Sequence, residues 1–224
     1  MTMEQDRQQE AFADFTVPDP GRILKVKNWL LRNGRLAKPD AAVLEIGYAR
    51  GGLLDQLAGH PGLNRFALDI HPRAAKNGIT FVRHDINRGF PDFGGQRFDV
   101  IFAGEVIEHA FDDRKFLQDL RGLLKPGGTL ALTTPNIFFL ASRIAFPFGV
   151  MPFMAYAPFH YHLYSVKTLS ALAAESGYTV DKVLSSHLLI STRMNVPLGK
   201  LCEWLGDLFP SFGAHIILFA TRKE

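Results

Sequence analysis

One cysteine in 224 residues, Cys202, rules out an intrachain disulfide and any cysteine-based zinc cluster. A chain so poor in thiols suits a reducing compartment, and a cytoplasmic location is the expectation. The polar, acidic start from Met1 to Phe15 has no apolar centre of signal-peptide type. No apolar run reaches the roughly 18 to 20 residues that cross a bilayer. The most apolar stretch, Ile137 to Phe159, is broken by Ser142, Arg143, Pro147, Gly149, Pro152 and Pro158. A regular spanning helix is thereby excluded, while peripheral contact with a membrane surface stays open. The formal charge of +3 is small for this length and gives no strong nucleic-acid signal, which shows as a clustered basic face. Internal repeats and low-complexity segments are lacking too, and the oligomeric state is left unset.

What is present is an ordinary balance for a globular chain, with 47% hydrophobic and 21% charged residues. The length fits one domain over residues 1–224, with a helical extension at 1–40 and an aromatic, lid-like insertion at 137–160. Short apolar runs alternate with helix-like segments. Ala42 to Ile46, Arg65 to Asp69, Ile79 to Arg83 and Phe98 to Ala103 read as strands. Gly51 to Leu57, a short stretch near Pro72 to Lys76, and Asp113 to Leu124 read as the helices between them. In the last of these Phe116, Leu117, Leu120, Leu123 and Leu124 keep amphipathic spacing. Lys125-Pro126-Gly127-Gly128 stops that helix and turns the chain into a strand from Thr129 to Thr133. Val166 to Ser176 is another helix. Tyr178 to Leu184 and His215 to Thr221 are later strands, forming a hairpin across a loop that holds Cys202 and Trp204. This order predicts an α/β fold: a doubly wound, Rossmann-like, mostly parallel sheet of seven strands with the last antiparallel.

Ligands bind such sheets at the carboxyl ends of the strands. There the sequence offers a glycine-rich turn, Glu45-Ile46-Gly47-Tyr48-Ala49-Arg50-Gly51-Gly52, whose small residues let backbone approach a ligand. Asp69 ends the next strand, where a carboxylate can accept hydrogen bonds from both hydroxyls of a ribose. Asp85 follows the third strand, placed for an adenine amino group. Each aspartate alone reads equally well as a cap or loop residue; their order makes coincidence a poor account. The turn lacks the G-x-G-x-x-G spacing of dinucleotide binders, which cradles a pyrophosphate.

With these residues the chain resembles the class I methyltransferases that use S-adenosylmethionine (SAM), in particular the ubiquinone-pathway O-methyltransferases. The family's E/D-x-G-x-G-x-G reads here Glu45-x-Gly47-x-Ala49-x-Gly51, with alanine for the middle glycine. Phe98 to Ile101 followed by Glu105-Val106-Ile107-Glu108-His109 matches the family's fourth-strand motif. Leu123 to Leu130 matches its helix-to-strand turn, and Thr134-Pro135-Asn136 the end of its fifth strand. The resemblance implies SAM as cofactor, contacted by Glu45, Gly47, Tyr48, Ala49, Gly51, Asp69, Ile70, Asp85, Ile86, Ala103 and Glu105. The resemblance itself says little about the substrate; the reading adopted is methylation of a small-molecule or lipid-linked acceptor, at oxygen.

A methyl transfer asks an enzyme for orientation and sometimes a base. His109, and His160 and His162 in His160-Tyr161-His162-Leu163-Tyr164-Ser165, are the candidate bases. The blander alternative is that Glu105 orients the methionine end of the cofactor, Glu108 and His109 cap the following helix, and the later histidines are structural. Glu105-x-x-Glu108-His109 with a later histidine also resembles the magnesium set of small-RNA 2′-O-methyltransferases. That makes a divalent metal an alternative, though not the favoured one, and metal-assisted RNA methylation a rival function. A methyltransferase-like binding protein without turnover is the rival of another class. The 137–160 segment, with Phe146, Phe148, Met151, Phe153, Met154 and Tyr156, reads as a cover for an apolar acceptor or as core packing. Phe12 and Phe15, with Trp29 and Leu30, are candidates to close the same pocket from the N-terminal helices.

Overall fold

A computed structural model of the chain describes residues 20–48, 52–71, 78–152, 155, 157, 159–188 and 197–224. Seven strands form one sheet: β1 (Ala42–Ile46), β2 (Asn64–Asp69), β3 (Ile79–Arg83), β4 (Phe98–Gly104), β5 (Leu124–Pro135), β6 (Tyr178–Ser185) and β7 (His215–Arg222). Their order is β3-β2-β1-β4-β5-β7-β6. β7 runs antiparallel to both β5 and β6, and the remaining pairs are parallel. The expected doubly wound sheet with an antiparallel last strand is therefore what forms.

Alternation along the central strands sets the two faces, as the period of two requires. Ile101 and Ala103 of β4, Leu130 and Leu132 of β5, and Leu218 and Ala220 of β7 face one core. Helices α3 (Asp113–Leu123) and α5 (Val166–Glu175) cover it with Phe116, Leu117, Leu120, Leu169 and Ala173. Val100 and Phe102, Ala131, and Ile217 and Phe219 face the other side. There α1 (Pro20–Arg32) brings Val26 and Leu30, and α2 (Leu53–Gln56) brings Leu53 and Leu54. Trp29 stacks on Phe219 with ring centroids 4.0 Å apart. Burying apolar area on both faces is the main stabilisation of such a sheet, at about 25 cal/mol per Å².

The helices start where their caps say. Asp112 accepts from the Lys115 amide ahead of α3, and Ser165 and Thr168 close a capping box ahead of α5.

Three local expectations are corrected. β5 begins at Leu124, five residues early, because Phe98 pairs with Leu124 and Val100 next pairs with Thr129. Lys125 to Gly128 bulge out opposite Asp99, with Gly127 at φ 70°. Cys202 and Trp204 stand on a helix, α6 (Pro197–Leu208), not in a loop, since the apolar positions of Leu201, Trp204, Leu205 and Leu208 recur at helical spacing. The helix after β1 is the short α2, and the one expected near Pro72 to Lys76 lies outside the described residues. After β5 the chain forms α4 (Leu140–Ala145) and a 3-10 turn at Phe146–Phe148 ended by Gly149 at φ 73°. Pro147 supports the expected broken helix there. No helix among the described residues is long and apolar enough to cross a membrane. Phe12 and Phe15 lie outside the described residues, as do Phe153, Met154 and Tyr156.

Candidate active site

The carboxyl ends of β1, β2 and β4 converge on the glycine turn. Gly47 turns the chain at φ 73°, and a Cβ there would lie 2.6 Å from the Val106 side chain. The turn therefore passes directly beside the segment that follows β4, where only glycine fits. Glu45 is buried, and its two carboxylate oxygens accept from the amides of Leu53 (2.9 Å) and Leu54 (2.8 Å). It ties β1 to the first turn of α2 and so fixes the path of the loop between them. A Cβ on Gly52 would sit 1.8 Å from that carboxylate, so glycine is what lets Glu45 reach the helix. Burial pushes the Glu45 carboxyl up to about 8, against the pull of the two amides.

The expected cofactor residues divide on inspection. Ala49 and Gly51 lie outside the described residues. Tyr48 is buried, and its hydroxyl donates to Asp55 at 2.7 Å, so its side chain belongs to the core below α1 and α2. Ala103 is likewise a core residue on the α3 face, and Ile86 packs against the same cluster. Asp69 ends β2 with one oxygen accepting from the His71 amide at 2.8 Å, with half-buried Ile70 between them. Asp85 accepts from the Asn87 amide at 2.9 Å and lies 3.8 Å from Arg88. Both carboxylates stand at strand ends where the sequence puts them.

Past β4 the chain turns sharply. Glu105 takes φ 57°, a left-handed conformation unusual for a side chain other than glycine or asparagine. One of its oxygens pairs with Arg22 of α1 at 3.0 Å, and the other lies 3.7 Å from His215 at the start of β7. The Ser186 hydroxyl meets the second nitrogen of His215 at 2.9 Å. Arg22 and His215 carry no motif signal: each meets Glu105 only through tertiary folding.

Ile107–His109 form one 3-10 turn. Glu108 and His109 do not cap α3, whose cap is Asp112. Glu108 is 1% exposed and accepts from the Thr134 hydroxyl at 3.0 Å. Burial, and then the Glu105 charge, push its carboxyl well up from the usual range. The Tyr161 amide donates to the Glu108 carbonyl at 2.8 Å, which lays the histidine segment over this turn. His109 Nδ1 donates to the Phe159 carbonyl at 2.9 Å, leaving Nε2 as the acceptor. Burial holds the His109 imidazole below its ordinary value, with His160 adding to the effect. The His109 and His160 rings lie 4.9 Å apart. Glu108, His109 and His160 present ligand-capable atoms all within 4.8 Å of one another. His162 does not join them: it points to Asp113 of α3 at 3.5 Å and stacks with Tyr164. Beside the segment lies an open apolar cleft of about 540 Å³, lined by Ile137, Phe138, Phe146, Gly149, Met151 and Leu163.

Residues 21–183 match the family described as a methyltransferase domain. The chain is 33% identical over 102 residues to the ubiquinone biosynthesis O-methyltransferase of Cereibacter sphaeroides strain ATCC 17029, covering 42% of this chain and 41% of that protein. The enzyme of the same name from Caulobacter vibrioides is 30% identical over 140 residues, covering 56% and 55%. The chain thus spans about half the length of these curated relatives. Among solved structures, the N-methyltransferase NodS of Bradyrhizobium japonicum with S-adenosyl-L-homocysteine superposes with a TM-score of 0.59, at 17% identity over 96% of this chain and 98% of that one. An S-adenosylmethionine-dependent methyltransferase of Mesorhizobium loti gives 0.56, at 16% identity over 86% and 97%. At these identities the structures speak for the fold alone. The family match over most of the chain places it: the chain belongs to the class I SAM-dependent methyltransferases.

Proposed function

We propose that the protein methylates a hydroxyl oxygen of a small or lipid-linked acceptor, with His109 as the base. The observation that carries this reading is the Phe159 carbonyl accepting from Nδ1–H of His109, which puts the lone pair of the neutral imidazole on Nε2. The residues fit the cofactor. Gly47 carries the turn past the segment that follows β4, Asp69 suits the ribose and Asp85 the adenine. Glu105 and Arg22, held as a pair, present opposite charges that complement the zwitterionic amino-acid end. When bound, SAM supplies a methyl group on a positively charged sulfur. The chain's own part is to orient the acceptor and remove its proton, with the neutral His109 favoured by burial. The apolar cleft beside residues 159–163 gives a hydrophobic acceptor a place to lie. The relatives' O-methyltransferase name supports oxygen as the acceptor atom.

The test is turnover with labelled SAM against hydroxylated quinones, glycans and small RNAs, with amine analogues in parallel. Transfer to the amines alone would overturn the oxygen assignment. A divalent cation held by Glu108, His109 and His160 is the second reading, favoured by their convergence. Two imidazoles and one carboxylate suit a first-row transition metal better than the all-oxygen preference of magnesium. A cation there would polarise the acceptor oxygen.

A further inference from the structure

His215 opens β7 and is placed from several sides. Its backbone pairs with Pro135 at the end of β5. Asn136, the next residue, is buried, and its side-chain amide donates to the Ser211 carbonyl at 3.0 Å and the Gly213 carbonyl at 2.8 Å. The Ala214 amide donates to the His187 carbonyl at 2.8 Å. A Cβ on Gly213 would lie 1.5 Å from Ser185 Oγ, so glycine is what lets the chain pass the end of β6 this closely. The approach to β7 is thereby pinned before its first side chain is presented.

That side chain closes a ring of polar contacts around the end of the sheet. Arg22 and Lys25 stand at i and i+3 on one face of α1. Arg22 pairs with Glu105 at 3.0 Å, and the other Glu105 oxygen lies 3.7 Å from His215 Nε2. His215 Nδ1 meets the Ser186 hydroxyl at 2.9 Å. The Ser186 carbonyl accepts from the Lys25 amine at 3.1 Å, which returns the ring to α1. Lys25 is anchored further by the Ser185 carbonyl at 2.7 Å and by Asp207 of α6 at 2.8 Å. In the neutral imidazole a proton on Nε2 faces the carboxylate, and Nδ1 accepts from the Ser186 hydroxyl.

The ring has a use at Glu105. The last torsion of a glutamate is broad, so a carboxylate held by one oxygen still turns about its own axis. Arg22 on one oxygen and His215 at the other hold the plane from two sides. The Glu105 amide, donating to the Thr133 carbonyl at 2.9 Å, holds its root. We infer that His215, itself oriented by Ser186, is a positioning residue that fixes the Glu105 carboxylate for the amino-acid end of the cofactor. This rests on the reading that Glu105 and Arg22 receive that end.

Calorimetry with S-adenosyl-L-homocysteine and with methylthioadenosine, which lacks the amino-acid end, separates positioning from general support. In His215→Ala the first ligand should bind at least about tenfold more weakly, and the second as it binds the parent protein. Ser186→Ala should give a smaller loss with the same selectivity. His215→Gln, which keeps a donor where Nε2 stands, should recover part of the loss. Equal weakening of both ligands would make His215 a structural support and overturn the inference, as would no change with either. Glu105→Gln tells the two readings apart. If it leaves the ratio of the two affinities at the parent value, Glu105 does not receive the amino-acid end, and the underlying reading falls with the inference. If it shifts that ratio while His215→Ala does not, only the role of His215 falls.

Discussion

Arg22 of α1 grips Glu105, the residue just past β4, across 3.0 Å, in a site where both side chains are largely buried. Glu105 holds a left-handed backbone to be there, a conformation that costs about 1–2 kcal/mol. Such strain persists where surrounding contacts enforce it. Arg22→Ala should therefore weaken SAM binding at least about tenfold, worth ~1.4 kcal/mol, and Arg22→Lys should recover part of it. Calorimetry with SAM and with its demethylated product reads this directly. Unchanged affinity in Arg22→Ala would reduce the pair to a strut between α1 and the sheet.

Glu45 tests the loop in another way. Removing it leaves the Leu53 and Leu54 amides without their acceptor at the start of α2. Glu45→Ala should cost about 1–3 kcal/mol of stability, visible as a lower melting temperature. Saturating SAM should restore only part of the loss. A variant that melts with the parent protein would show that the turn stands without this tie.

Glu108 separates the metal reading from the plain one. Burial favours its neutral form, so Glu108→Gln keeps both shape and an acceptor for the Thr134 hydroxyl. Its melting temperature should stay near that of the parent protein. If a cation binds, manganese or zinc should raise the parent's melting temperature and leave the variant's unmoved. No rise in either protein, with EDTA leaving turnover intact, removes the metal.

The pH dependence has a definite sign at His109. Its folded value lies below the ordinary 6.5, so the unfolded chain takes up its proton first as pH falls. This group's contribution to stability is thus lost on acidification through about 6.5, and present above it. For a base that must be neutral, the acid limb of kcat/KM should fall below pH 6.5. An acid limb centred above that value would exclude His109 as the base.

At the bulge opposite β4, Asp99 accepts from the Ala42 amide at 2.9 Å and from Lys125 at 2.6 Å. Although burial works the other way, the Lys125 and Ala42 bonds bring its carboxyl below the usual range. Its contribution is present above about pH 3.9, the unfolded value, and is lost as pH falls through the folded one. Asp99→Asn should cost about 1–3 kcal/mol at neutral pH and much less near pH 3, as denaturant midpoints at the two pH values would show.

The strands and the acidic residues at their ends were legible in the sequence because alternation and strand-end position are local facts. Phe98 to Ala103 reads as a buried strand from its composition alone, and Asp69 and Asp85 fall at strand ends by counting. The partners of Glu105 were not legible. Arg22 lies 83 positions before it on a helix that also carries Lys25, Lys27 and Arg32, and His215 lies 110 after it. The tie from Glu45 to α2 was not legible for a related reason: its carboxylate turns toward the Leu53 and Leu54 amides, a choice made by three-dimensional proximity. His162 reads like His160 in sequence, yet it turns to Asp113 beside Tyr164, a partner that only the tertiary fold supplies. The exposure of Leu201, Trp204 and Leu208 on α6 was hidden because apolar periodicity gives a helix's face without saying which side meets the protein.

The place of β7 in the sheet constrains the order of events in synthesis. Residues 215–222 are made after the other six strands of this sheet, yet they lie between β5 and β6. Until they emerge, β5 and β6 each present a raw hydrogen-bonding edge to whatever is nearby. The half of the sheet holding Glu105's histidine partner must therefore wait for these residues, and a nascent chain stalled before His215 would be the species most in need of a chaperone.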